Sequence, residues 1–210
     1  MASAQRIFLL GATGRTGLPF LEMAEQRGHR VTAFVRSPAK LPSLPNLTVR
    51  VGDPLRVEEL RAAIGGHDVV VTTLGHPDLR PSTLLGDAAK STVAAMQTAG
   101  LRRLLVVSAA MLFDDAGLIA AILRRSLLRH VARDSMEMER AVMSADLDWT
   151  VVRPPRLTEG PLTRSYLVAD GTIPKKGAFV TSRADVAHFL LDEVEQSAHL
   201  RRIVGMSTRK

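Results

Sequence analysis

The chain has no cysteine in its 210 residues. That excludes disulfide staples, thiolate nucleophiles and thiolate metal sites together, and no metal site is expected. Aromatic residues are scarce as well, 4% of the chain with one tryptophan and one tyrosine. The basic residues therefore lack the aromatic interleaving of a nucleic-acid-binding face. Lys and Arg outnumber Asp and Glu by 28 to 21, a formal net charge of +7. The excess is scattered, with one concentration at Arg124 to Arg133. Such a surface suits ligands that carry phosphates, and no nucleic-acid partner is expected. Long apolar runs are missing too. The best stretch, Leu118 to Val131, is interrupted by Arg124, Arg125 and Arg129, and none reaches the roughly 18 apolar residues that a membrane helix needs. No membrane partner is expected. The N-terminus runs into an apolar strand without the basic region, apolar core and cleavage site of an export signal, so the expected location is cytoplasmic.

What remains is an ordinary globular composition, 46% hydrophobic, in a length that fits one doubly wound domain. Short, nearly continuous apolar runs alternate with helical patterns. Strands are predicted at Arg6–Leu10, Arg30–Val35, Leu47–Val51, Asp68–Leu74, Arg103–Ser108 and Trp149–Val152, with a seventh at Arg202–Gly205. Helices are predicted at Thr16–Arg27, Leu55–Ile64 and Leu84–Ala99, each followed by glycine. This alternation predicts an α/β fold: a single Rossmann-type domain over 1–210, with a mostly parallel sheet of six or seven strands and helices on both faces. Two segments break the rhythm. Asp114 to Ser144 is helical in pattern but too long for one unbent helix. The segment from about 157 to 180 contains Pro161, Gly171, Pro174 and Gly177 and reads as a substrate-side excursion with a short hairpin. Ser182 and Asp185 then have the spacing of a helix-starting box.

The most informative stretch follows the first strand. Gly11-Ala12-Thr13-Gly14-Arg15-Thr16-Gly17 opens directly into a helix. Gly11 permits a tight turn, Gly14 lets the backbone approach a pyrophosphate, and Gly17 lets helix and strand pack closely. The helix N-terminus then offers unpaired amides and positive partial charge to phosphates. The spacing is Gly-x-x-Gly-x-x-Gly rather than Gly-x-Gly-x-x-Gly. The second strand ends at Arg36, where an NAD enzyme carries a ribose-binding carboxylate. A guanidinium there matches a 2′-phosphate, with Ser37, Lys40 and Arg15 as further donors. The expected cofactor is NADP(H). Asp53 is either an acceptor for the adenine amine or the N-cap of the helix that follows. Leu74 and Gly75 end the fourth strand, where a small residue admits the cofactor, and His76 reads as a loop histidine.

These segments, together with Arg153-Pro154-Pro155, Gly160-Pro-Leu-Thr163 and Ser182-Arg-Ala-Asp-Val-Ala187, resemble the atypical short-chain dehydrogenase/reductases. Within them the chain is most similar to the biliverdin reductase B / flavin reductase group, related to the NmrA-like proteins. The resemblance runs in order along nearly the whole chain. It implies an NADPH-dependent reductase of flavins, quinones or open tetrapyrroles, with Pro154 and Pro155 at the cofactor. Two segments depart from the group. Ser108 stands at the threonine of its Thr-Ser pair, and Ala109 replaces the serine credited with catalysis. Arg156 replaces the histidine of Pro-Pro-His, which counts against bilin reduction.

Carbonyl reduction in short-chain dehydrogenases needs a Tyr-x-x-x-Lys acid on a helix. Here Tyr166 lies in the excursion, and Ser135 and Glu139 occupy the approximate place of that pair in the long helix. A flavin or quinone delocalises incoming charge and takes its proton from water. The expected function is therefore an NADPH-dependent, flavin reductase-like oxidoreductase without a Tyr-Lys pair. The candidate catalytic residues are Ser108 as a hydroxyl donor and Arg156 as a stabiliser of developing negative charge. Met111, Leu112 and Phe113 either wall an acceptor pocket or belong to the core. The alternative function is a non-catalytic NADP(H)-binding sensor of the NmrA-like type, and a third is a tailoring reductase or isomerase.

Overall fold

A computed structural model describes residues 3–209 of the chain. Along it run β1 (Arg6–Leu10), α1 (Gly17–Gln26), β2 (Arg30–Val35), β3 (Leu47–Val51), α2 (Val57–Ile64), β4 (Val69–Thr72), α3 (Leu84–Ala99) and β5 (Arg103–Val107). Two 3-10 turns at Ala110–Leu112 and Asp114–Ala116 lead to α4 (Leu118–Arg125) and α5 (Arg129–Met143). Then come β6 (Asp148–Arg153), β7 (Arg156–Thr158), β8 (Tyr166–Asp170), β9 (Val180–Ser182), α6 (Arg183–Gln196) and β10 (Arg202–Thr208).

The main sheet has the order β3-β2-β1-β4-β5-β6-β10-β8, parallel throughout except for β8. Adjacent residues of a strand face opposite sides, and both sides are apolar. Ile7 and Leu9 of β1 join Val69 and Val71 of β4 in a layer closed by Phe20, Leu21 and Ala24 of α1 and Phe189 and Leu190 of α6. Phe8, Leu10, Val70, Leu104 and Val106 point the other way, against Leu60, Ile64, Met96, Met138 and Val142. This two-sided burial is why the strands read as continuous apolar runs. The edge strands β3 and β8, each with one neighbour, are the exceptions: neither has a buried residue, and Val49 and Val51 of β3 are 41% and 68% exposed.

The strand order reverses at β1, which has β2 on one side and β4 on the other. In doubly wound sheets that reversal opens a crevice at the carboxyl ends of the strands. The expected bend in the long helical stretch falls at Ser126, whose φ of −117° and ψ of −100° end α4.

The excursion differs from its expectation. It contains no hairpin of its own among the described residues. β8 instead pairs antiparallel with β10, from Val204 opposite Asp170 to Thr208 opposite Tyr166, as an eighth strand. β7 and β9, the two ends of the excursion, pair parallel with each other. The physical reason is the free edge of β10, whose unpaired backbone groups take a strand from the nearest available segment.

Candidate functional site

The turn after β1 is built by backbone contact. Gly11 has φ of +83°, and a Cβ there would stand 2.7 Å from the Leu74 amide nitrogen at the end of β4. A side chain is therefore excluded by both conformation and space. A Cβ on Gly17 would collide with the Gly11 carbonyl and the Ala12 backbone, so α1 begins pressed against its own strand. Gly14 is different: its amide donates to the Gly11 carbonyl at 2.9 Å, and a Cβ there would meet only that carbonyl, at 3.0 Å. No side chain caps the start of α1; Leu18 and Phe20 donate to the Gly14 and Thr16 carbonyls and Pro19 has no amide hydrogen, which leaves the Gly17 amide to another acceptor. Thr73 braces the turn, its hydroxyl donating to the carbonyls of Leu10 and Gly11 at 3.2 Å each. A Cβ on Gly75 would meet nothing within 4 Å, so open space lies beside this cradle. Crowded glycines inside and free space outside fit a pyrophosphate.

Around the turn, Thr13 is partly exposed and Thr16 is buried. Arg15 is exposed but engaged: its guanidinium pairs with Glu159 at 3.1 Å, and Glu159 also holds Arg183 at 2.7 Å. Arg36, Ser37 and Lys40 follow β2 on an exposed segment and make no side-chain hydrogen bond among the described residues. Asp53 does not cap α2, whose N-cap is Arg56. Its carboxylate instead accepts from the Leu55 amide at 3.0 Å, because it stands three positions before the N-cap and only a local turn is in reach. His76 is no free loop histidine. Its Nε2 lies 3.0 Å from the buried carboxylate of Asp134, which also accepts from the Leu85 and Gly86 amides at the start of α3.

At the far end of the crevice β5 and β6 finish side by side. The Ser108 amide donates to the Val152 carbonyl at 2.7 Å and the Ala110 amide to that of Pro154 at 2.9 Å. Pro154 is buried and Pro155 partly so. The Ser108 hydroxyl donates to Glu139 Oε1 at 2.5 Å. Arg153 grips the same carboxylate with two nitrogens, Nε at 2.9 Å and Nη2 at 2.5 Å, and lies 4.7 Å above the Phe113 ring. Glu139 and Arg153 are buried, at 3% and 11% side-chain exposure. Sequence reasoning did not assign either of them a role. The available signal was the four-residue spacing Ser135 to Glu139 on a helix: an acid where an acid-base pair was sought. Leu112 and Phe113 are buried, which settles that segment largely as core.

Arg156 is exposed on β7, without a hydrogen-bond partner among the described residues. Tyr166 is on the opposite side of the sheet from Glu139, packed with the α1–α6 layer. Its hydroxyl lies 2.8 Å from His188 Nδ1 and 3.1 Å from Asp192 Oδ2. Burial first, and then Asp192, push its pKa far above the ordinary tyrosine range. The excursion is pinned by Asp185, whose carboxylate accepts from the Thr163 amide and hydroxyl at 2.8 Å and the Arg164 amide at 2.9 Å. Ser182 caps α6 by accepting from the Asp185 amide at 3.0 Å. The box is thus one-sided, since Asp185 is spent on the excursion.

Comparison with known proteins agrees with this geometry. A family model described as NAD(P)H-binding matches residues 11–197. The Bacillus subtilis protein YwnB is 28% identical over 205 residues, covering 92% of this chain and 94% of that one. A 3-beta-hydroxysteroid dehydrogenase of Mycolicibacterium neoaurum is 31% identical over 110 residues, 47% of this chain. The match spans only 30% of that longer protein. A candidate NADH-flavin reductase of Streptococcus pneumoniae has a solved structure that shares the fold. Its TM-score is 0.82 at 22% identity, over 98% of this chain and 100% of that one.

Proposed function

The chain belongs to the NAD(P)H-binding family, and from that premise we propose that it is an NADPH-dependent reductase of a flavin, quinone or related conjugated acceptor. The cofactor, when bound, supplies a hydride; the protein binds, orients and neutralises charge. Gly11, Gly14 and Gly17 give the pyrophosphate its backbone cradle, and Leu74, Gly75, Pro154 and Pro155 line the crevice beside it. Arg36 supplies the 2′-phosphate contact, supported by Ser37 and Lys40, while Thr13, Thr16 and Asp53 complete the turn and its surroundings. Arg15 reaches the same region from its pairing with Glu159.

One observation carries the choice of acceptor. Where a ketone reductase holds a tyrosine and a lysine, this chain has Ser135 and Glu139, and Glu139 is neutralised by Arg153. The only tyrosine is behind the sheet. Among the described residues nothing near Ser108 combines a phenol with an ammonium to protonate an alkoxide, so an acceptor that delocalises charge and is protonated by water is favoured. Arg156, exposed and unengaged, is the cation available to such an acceptor.

NADPH oxidation measured with free flavin, a quinone and a simple ketone tests the reading. Turnover with flavin or quinone and near-inert ketone is expected, and the reverse order would overturn it. The second reading, an NADP(H)-binding sensor, is favoured by the Ser108 hydroxyl proton being committed to Glu139. Tight NADPH binding without oxidation against any acceptor would select it.

A further inference from the structure

We propose that α4 and the arginines that follow it form a docking surface for an anionic lipid bilayer, with the helix lying along the membrane interface. This docking is independent of the reductase reading.

The helix is mounted inside out. Its sequence is Leu118-Ile-Ala-Ala-Ile-Leu-Arg-Arg125, and none of its residues is buried. Leu118 and Ile119 are each 77% exposed, Ile122 56%, Leu123 38%, and Leu127 just beyond it 63%. At 100° per residue Leu118, Ile122, Ile119 and Leu123 share one arc of roughly 140°. The side turned to the protein is small. Ala120 packs on the patch of Ala110, Phe113 and Ala116, and Arg124 Nη1 reaches the Met111 carbonyl at 3.5 Å. A helix seated by alanine that shows its leucines and isoleucines presents a contiguous apolar patch, which soluble surfaces ordinarily avoid unless something covers it.

Charge identifies the cover. From 116 to 133 the only formal charges are Arg124, Arg125, Arg129 and Arg133, with no Asp or Glu. Arg125, Arg129 and Arg133 are exposed. Beyond it, Asp134 is committed to His76 and two amides and Glu137 to Arg140; before it stand the exposed Asp114 and Asp115, so residues 114–133 carry four arginines against two carboxylates. A second copy of the chain would bring a net positive face, four arginines against two carboxylates on each side, onto another like it, a net like-charge contact. An anionic bilayer accepts both features together, with the apolar arc among the acyl chains and the guanidiniums on the headgroup phosphates. No helix among the described residues is long and apolar enough to cross a membrane, so α4 lies on the surface. The expectation of no membrane partner rested on crossing length. Interfacial binding depends instead on the apolar face and its flanking charge.

The test is sedimentation of the full chain with phosphatidylcholine vesicles, made with and without phosphatidylglycerol. Binding is expected with phosphatidylglycerol, at least about tenfold weaker without it, and weakened by salt. Ile119→Asp with Ile122→Asp, and separately Arg125→Glu with Arg129→Glu, are each expected to lower binding about tenfold or more. These side chains are exposed, so circular dichroism of both variants is expected to match the parent, and the two pairs check each other. Equal binding to both vesicles, no binding to either, or binding unchanged in both variants would overturn the proposal. Self-association in solution that Ile119→Asp with Ile122→Asp abolishes, without vesicle binding, would assign the face to a second copy.

Discussion

The Ser108 hydroxyl stands 2.5 Å from Glu139 Oε1, and Arg153 bridges both oxygens of the same carboxylate, Nε to Oε1 and Nη2 to Oε2. A strand end, a helix and a second strand end thus meet in one buried charge pair. Such a pair contributes little over an apolar substitute, but losing one partner strands the other charge away from water. Glu139→Gln is expected to lower the unfolding free energy by about 3 kcal/mol, read by urea denaturation. Glu139→Leu combined with Arg153→Met should recover most of that loss. A single-variant loss below about 1 kcal/mol would show that solvent already screens the pair.

In the proposed function Arg36 carries the cofactor preference. NADPH should bind more tightly than NADH, and Arg36→Asp should erode or reverse the order. Loss of the charge-assisted contact corresponds to roughly 1.5–3 kcal/mol, about ten- to a hundredfold in Kd by calorimetry. Equal affinity of the unmutated protein for the two cofactors would remove the assignment.

The glycines of the turn should separate. At Gly14 a side chain meets one carbonyl within the protein but enters the space assigned to pyrophosphate. Gly14→Val is therefore expected to abolish NADPH binding while circular dichroism stays native. Gly11→Ala, strained in φ and pressed on the Leu74 backbone, should lower stability as well, by on the order of 1–3 kcal/mol. Retained binding in Gly14→Val would make the turn structural only.

Tyr166 should matter for stability and not for turnover. Tyr166→Phe removes hydrogen bonds to His188 and Asp192 and should cost about 1 kcal/mol in urea denaturation. NADPH oxidation with flavin should be little changed. A collapse of ketone reduction in this variant would overturn the mechanism proposed above.

His188 should make the fold acid-sensitive. Burial holds its pKa below the ordinary histidine range, although Asp192 pulls it upward. The unfolded chain takes up this proton near about pH 6.5, whereas the folded chain does so only at lower pH. The unfolded state binds more protons between those values, so stability falls as pH drops below about 6.5. The fall in Tm between about pH 7 and pH 5.5 should be smaller in His188→Gln than in the parent. An equal fall in both would show that this histidine does not contribute.

Local physics made much of this protein legible in its sequence. The β1–turn–α1 unit, Arg36 beyond β2 and the Ser182 cap each depend on a few consecutive residues, whose conformational demands are visible in their types. The two-sided apolar character of the strands likewise announced a covered parallel sheet. Tertiary structure decided the rest. Whether Asp53 caps a helix depended on where α2 begins, and whether residues 157–180 form a hairpin depended on the free edge of β10. The meeting of Ser108, Glu139 and Arg153 could not be read from spacing, because residues from β5, α5 and β6 converge only through the order of strands and the seating of a helix. Sequence shows a helical pattern around α4, but only packing determines that Ala120 faces the protein and the leucines and isoleucines face out. Periodicity determines which residues share a face; the neighbours available in three dimensions determine what that face meets.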